Sequence, residues 1–251
     1  MSTLHSSKQN QIIAALPDDE YTRLLPFLEL VDLRLGEVVY EPNTRISYVY
    51  FPTTCIVARV YQLASGISGQ VSMIGNEGVT GTSLLLGCDS TPATVLVQSP
   101  GYGHRIKADI LKEKLKSGGT LQKLLLHFTQ ALLLQTEQCA ADYCQPIINQ
   151  VCRFLLMTED RSFGNSLPMT HELVSHMLGV RRESVTVVAQ TLQAEGAIKY
   201  RRGHITVVNR KLMEDRVSEG YAILKKEYRR LLSNQPETVT QNLCEARPYH
   251  L

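Results

Sequence analysis

The chain has 251 residues, with 26 Lys and Arg against 24 Asp and Glu for a net charge of +2, so affinity for a polyanion must come from a local patch rather than from the whole molecule. Its length suits one large domain or two ordinary ones, and its longest aliphatic runs, such as Ala131 to Leu134, are too short to span a membrane. The polar start lacks a signal-like apolar stretch, and Cys55, Cys88, Cys139, Cys144, Cys152 and Cys244 include no C-x-x-C pair, so a cytoplasmic protein with reduced thiols is expected.

Residues 10–30 read as short helices, with Pro17, Asp18, Asp19 and Glu20 where a helix start favours them. From about Val31 to residue 110 the texture changes to alternation: Val31, Leu33, Leu35; Ile46, Tyr48, Tyr50; Ile56, Ala58, Val60. Gly36, Pro42, Asn43, Pro52, Gly66 and Gly69 punctuate the runs, as in an antiparallel roll or barrel. After Ile110 the apolar spacing becomes helical. Leu125, Phe128, Leu132, Gln135 and Cys139 form a seam along one long helix, which packs either on its own domain or on a second copy; dimerisation through it is the expectation. Pro146 opens a following helix carrying Ile147, Val151, Phe154 and Leu155, and residues 161–168 read as a turn-rich break.

The stretch from Met169 is the most informative. Thr170 is a good N-cap for a helix of His171 to Leu178, and Gly179 stands where a left-handed residue ends it. A second helix runs from about Arg182 to Glu195, with Val185, Val188, Ala189 and Leu192 on one face. Two short helices joined through a Gly turn make a helix-turn-helix, and the apolar hairpin after Gly196, with Lys199, Arg201, Arg202 and His204 at its tip, makes it winged. In that arrangement the second helix enters the DNA major groove with its first residues against base edges. Arg182 and Glu183 fall there, with Thr186 a turn further: arginine forks onto guanine and glutamate accepts from the cytosine amino group. Thr170, Arg181, Lys199, Arg201, Arg202 and His204 are the candidates for the DNA backbone. Residues 178–204 hold five Lys or Arg against two Glu, the basic patch that a nearly neutral chain requires.

The segment 169–210, "MTHELVSHMLGVRRESVTVVAQTLQAEGAIKYRRGHITVVNR", is similar to the winged helix-turn-helix of bacterial transcription regulators of the Crp/Fnr family, and "IGNEGVTGTSLLLG", 74–87, resembles part of that family's sensory roll. The resemblance implies an α+β fold: an N-terminal antiparallel β-roll of the cyclic-nucleotide-binding type (1–115, with the short helices), a long dimerisation helix (116–145), a C-terminal winged helix-turn-helix (146–234) and a polar tail (235–251). It implies a homodimer on a pseudo-palindromic double-stranded DNA site, RNA polymerase as a further candidate partner, and no membrane or catalytic role. Two departures stand out: Val187 where the family carries a second DNA-reading arginine, and Arg181 where it usually carries a Ser.

In the roll, Gly81, Thr82 and Thr91 mark the candidate effector pocket. Thr82 and Thr91 stand where cyclic-nucleotide-binding members use a Glu and an Arg, and no Lys or Arg occurs between Val60 and His104, so a buried cyclic phosphate would lack a charged partner unless Arg59, Arg105 or Lys107 folds inward. Cyclic AMP is not expected and the effector is unknown. An iron-sulfur cluster is not expected either, since the first cysteine is Cys55, and no metal site is predicted. Alternatives are a thiol or haem sensor using Cys55, His104 or His127, and a cupin-like enzyme, which the single histidine of residues 31–110 disfavours.

Overall fold

A computed structural model describes residues 5–64, 68–162, 164 and 166–232; the expected tail 235–251 and Cys244 lie outside them. Short helices α1 (Gln11–Ala14) and α2 (Asp18–Leu24) precede the strands. A three-stranded antiparallel sheet has the order β1 (Glu29–Leu33), β7 (Gly101–Lys107), β3 (Tyr48–Pro52). A four-stranded one runs β2 (Val38–Tyr40), β6 (Thr94–Ser99), β4 (Ile56–Gln62), β5 (Ser68–Ile74). Phe51, Ile56, Val57, Ile74 and Ile106 are fully buried, the consecutive Ile56 and Val57 together because the pairing of β4 with β6 shifts register between them.

Helix α3 (Ala108–Leu115) leads into α4 (Thr120–Asp142). Gly119 at the start of α4 has no side chain to cap it, and Glu20 does so from α2, accepting from Thr120 N–H at 2.9 Å and Leu121 N–H at 3.0 Å. Burial raises the Glu20 pKa, but those two N–H groups outweigh it and hold the carboxyl below its ordinary range.

The expected dimer seam is corrected by the packing of α4. Leu125, Phe128, Leu132, Gln135 and Cys139 are all buried within the single chain, against β5 and the terminal helix α9 (Glu219–Leu232). Gln135 bridges them: its Oε1 accepts from Met73 N–H at 2.6 Å, and its Nε2 donates to the Tyr228 hydroxyl at 2.8 Å. The Cys139 thiol donates to the Gln70 carbonyl at 3.4 Å. A Cβ on Gly78 would stand 2.2 Å from the Phe128 ring, so the roll meets the helix backbone-close there. The outward face of α4 instead carries Leu126 and Leu133, 45% and 53% exposed.

Pro146 precedes α5 (Ile147–Glu159) as expected. The break expected at 161–168 contains a strand, β8 (Ser166–Pro168). It pairs antiparallel with β10 (His204–Val207), which pairs on its other side with β9 (Ile198–Arg201). Between β8 and β9 lie α6 (His171–Leu178) and α7 (Arg182–Ala194), and α8 (Arg210–Glu214) follows β10. The two halves touch directly: Gln98 of β6 donates to Thr158 of α5 at 3.2 Å, and Ser68 of β5 lies 3.1 Å from the His176 imidazole of α6. No helix among the described residues is long and apolar enough to cross a membrane.

Candidate nucleic-acid interface

Local sequence builds the two helices. The Thr170 hydroxyl accepts from Leu173 N–H at 3.1 Å at the start of α6, and Gly179 ends it at φ 66°, in the left-handed region that glycine enters without steric cost. A Cβ there would also meet the Ser68 carbonyl oxygen at 2.8 Å. Helix α7 starts at Arg181 without a side-chain cap, forgoing the roughly 1 kcal/mol that Ser supplies there. Its inner face, Val185, Ala189 and Leu192, is buried, which leaves Arg182 and Glu183 exposed in its first turn. Val187, also on this helix, is 62% exposed.

The hairpin tip is equally local. Arg201 pairs with His204, and Arg202 and Gly203 between them take φ 48° and 78°, the two positive values of a type I′ turn. Thr170 adjoins this tip, its methyl 3.6 Å from where a Cβ on Gly203 would lie.

All of Thr170, Arg181, Lys199, Arg201, Arg202 and His204 are exposed. Among the described residues none of Arg181, Arg182, Lys199, Arg201 and Arg202 forms an ion pair, whereas Glu195, the second acid of the segment, is held by Arg216 at 2.7 Å. The uncompensated charge of this face is therefore greater than the sequence count of five against two.

Thr186 is half-buried and its hydroxyl is engaged: it donates to the Arg182 carbonyl at 3.0 Å and lies 3.2 Å from His171 Nδ1. With the hydroxyl hydrogen spent, His171 Nδ1 must be the donor of that second bond. The His171 ring stacks on Tyr200 of β9 at 4.2 Å. Burial, with Arg182 nearby, holds its pKa below the usual histidine value. His171 thus ties α6, α7 and β9 together beneath Arg182. Sequence reasoning placed it only as a helix-opening residue, because its partners are 15 and 29 positions away.

Gly81, Thr82 and Thr91 do come together, lining a roll pocket with Tyr40 and Arg59. Of the three cations that could supply the charge, Arg59 lines the pocket. It sits at a register shift between β4 and β5, where alternation no longer predicts which way a side chain faces, and burial lowers its pKa. The pocket is small, with a volume of about 10 Å³. Cys55 and His104 lie in the core: burial pushes the thiol up to about 12 and the imidazole down. His127 lies at the end of the chain's contact with α9, its Nδ1 2.9 Å from the Leu231 carbonyl oxygen. Among the described residues no group of three or more His, Cys, Asp or Glu is placed to hold a metal ion.

Residues 149–216, from α5 through α8, match the family of Crp-like helix-turn-helix domains. This part of the chain is a Crp-like helix-turn-helix domain. The whole chain is similar in structure to FixK2 from Bradyrhizobium japonicum, at 17% identity and TM-score 0.64 over 76% of this chain and 98% of that one. It is similar to a Eubacterium rectale protein assigned to the Crp/Fnr family of transcriptional regulators, at 17% identity and TM-score 0.63 over 81% and 95%. A CRP-family transcriptional regulator from Thermus thermophilus aligns at 14% identity and TM-score 0.61 over 74% and 95%. No curated protein sequence matches the chain. At such identities the likeness establishes the fold: the chain has the roll, long helix and winged helix seen in those structures.

Proposed function

We propose that the chain is a dimeric, sequence-specific DNA-binding transcription regulator of the Crp/Fnr type. The observation that carries the reading is the unpaired basic surface of the Crp-like domain, where Arg181, Arg182, Lys199, Arg201 and Arg202 stand exposed without acidic partners. Arg182 and Glu183 read base edges, and Val187, in place of a second arginine, offers an apolar contact of the kind that suits a thymine methyl group. Thr170, Arg181, the hairpin cations and His204 hold the phosphates. Thr186, with its hydroxyl tied to Arg182 and His171, shapes the start of α7 more than it reads a base.

Dimerisation uses the outward face of α4, where Leu126, Gln130, Leu133 and Glu137 follow the alternating four- and three-residue spacing of a two-helix seam. Cyclic AMP is not the effector: Thr82 and Thr91 line the roll pocket where cyclic-nucleotide-binding members use a Glu and an Arg, and Arg59 is the one Lys or Arg that lines it among the described residues. The domain limits are those of the sequence reading, except that α9 returns to pack on α4.

Selection from random DNA tests the reading. Imperfect palindromes with half-sites about 10 to 10.5 base pairs apart, or a multiple of that, are expected. Single unpaired half-sites, or a wild-type protein that stays monomeric by light scattering while a Leu126→Glu/Leu133→Glu variant behaves identically, would refute the dimer. No sequence enrichment at all would refute the DNA reading.

A further inference from the structure

The largest cavity among those described lies away from both the DNA face and the roll pocket. It is a cleft of about 630 Å³ between α9, the end of α5 and the turn after β5, within the range of ordinary small-molecule sites. Met157 of α5 and Leu224, Tyr221 and Tyr228 of α9 give it apolar and aromatic walls, and the two tyrosines are themselves buried.

Its charges are unequal in a specific way. Both acids that line it are already satisfied: Glu77 accepts from Arg161 Nε at 2.7 Å and from Gly75 N–H, and Asp160 takes Arg210 at 2.6 Å and the Tyr221 hydroxyl at 2.7 Å. Lys225 stands at 3.6 Å from Asp160, a loose contact. Arg229, at the cleft's edge, forms no ion pair among the described residues and is exposed. The cleft therefore joins apolar and aromatic walls to one guanidinium without an acid partner among the described residues, while the charges of Glu77 and Asp160 are each balanced by an arginine.

We propose that this cleft binds a small organic anion with a flat apolar body, in chemical class an aromatic carboxylate. The ring packs beside Leu224 along the wall where Lys225 and Arg161 stand over the Tyr221 and Tyr228 rings, at 5.6 and 5.4 Å, and the carboxylate is taken by Arg229 in the forked geometry that guanidinium favours. A molecule seated there touches the roll through the turn at Asn76 and the Crp-like domain through α5. The proposal does not depend on the DNA-binding reading.

The test is direct binding of 2-naphthoate to the full chain, followed by the probe's own fluorescence. Saturable binding of one molecule per chain is expected, weakened about tenfold or more by Arg229→Gln and by replacing the probe with the neutral 2-naphthamide. Gln11→Trp, at an exposed rim position, narrows the entrance and should lower affinity as well. Leu86→Gln, at an exposed position of the roll, should leave binding unchanged. Absence of saturable binding up to millimolar probe, equal affinity for acid and amide, or loss in Leu86→Gln with none in Arg229→Gln and Gln11→Trp would overturn the proposal. Because DNA is absent from every arm, a failure here is separate from a failure of the regulator reading.

Discussion

Two sets of arginines in this chain look alike in sequence and behave differently in space. Around α5 three guanidiniums are consumed: Arg161 by Glu77 at 2.7 Å, Arg153 by Asp142 at 2.7 Å, and Arg210 by Glu159, Asp160 and Glu214 at 2.6 to 2.9 Å. On α7 and the hairpin, Arg181, Arg182, Arg201 and Arg202 are exposed and unpaired. A buried pair places opposite charges where neither can be solvated, so it acts on folding. An exposed unpaired cation contributes little to folding and is free to exchange counterions for phosphate.

The largest effect should come from breaking the buried set. Arg161→Met leaves Glu77 buried without its cation and should cost about 3 to 5 kcal/mol of stability, measured by urea unfolding; adding Glu77→Leu should recover part of it. A loss under about 1 kcal/mol, the scale of an exposed pair, would put Arg161 in the same category as the surface arginines. Next, Arg182→Ala should leave the unfolding midpoint unchanged while costing roughly 1 to 3 kcal/mol in operator binding, with relaxed preference at one position per half-site. If stability falls instead, the contrast between the two sets is wrong.

The hairpin sharpens the comparison further. Replacing Lys199, Arg201 or Arg202 by Ala should weaken all sequences alike, and each true phosphate contact removed should lower the salt slope of binding by about 0.9 per subunit. Unchanged slopes in all three variants would detach the hairpin from DNA. The smallest effect is at Arg181→Ser: a restored N-cap should add up to about 1 kcal/mol to stability while DNA affinity falls at low salt. Acid should act on the same face. Because the folded pKa of His171 lies below its unfolded value, its contribution is fully present above pH about 6.5 and is lost as pH falls below that toward the folded pKa. His171→Gln should remove that part of the pH dependence in thermal unfolding.

How legible each feature was follows from how local its cause is. The Thr170 cap, the Gly179 stop and the Arg202-Gly203 turn are decided within four residues, and the structure has them where the sequence put them. The α4 seam was visible as a stripe, but a stripe does not say what it packs on; α9 supplied the answer through Tyr228, 93 positions from its partner Gln135. Strand β8 has three residues and no alternation to announce it, and exists because β10 offers an edge. That Arg59, and not Arg105 or Lys107, lines the roll pocket turned on an irregularity of strand pairing, and His171 was hidden by partners that only the tertiary fold brings near. Val187 was noticed as a departure, yet its exposure depends on which face of α7 the domain buries.

The pairing of β8 with β10 also decides how portable the DNA-binding part is. A fragment cut at Met169, where the helix-turn-helix pattern begins, would lack the outer strand and leave the edge of Ile205 and Thr206 open to pairing with another chain. It would also lose α5, whose Phe154 and Leu155 belong to the same core. An excised unit that stays monomeric and folded therefore has to begin before Ile147, so the shortest working reader of DNA is longer than the motif by which it is recognised.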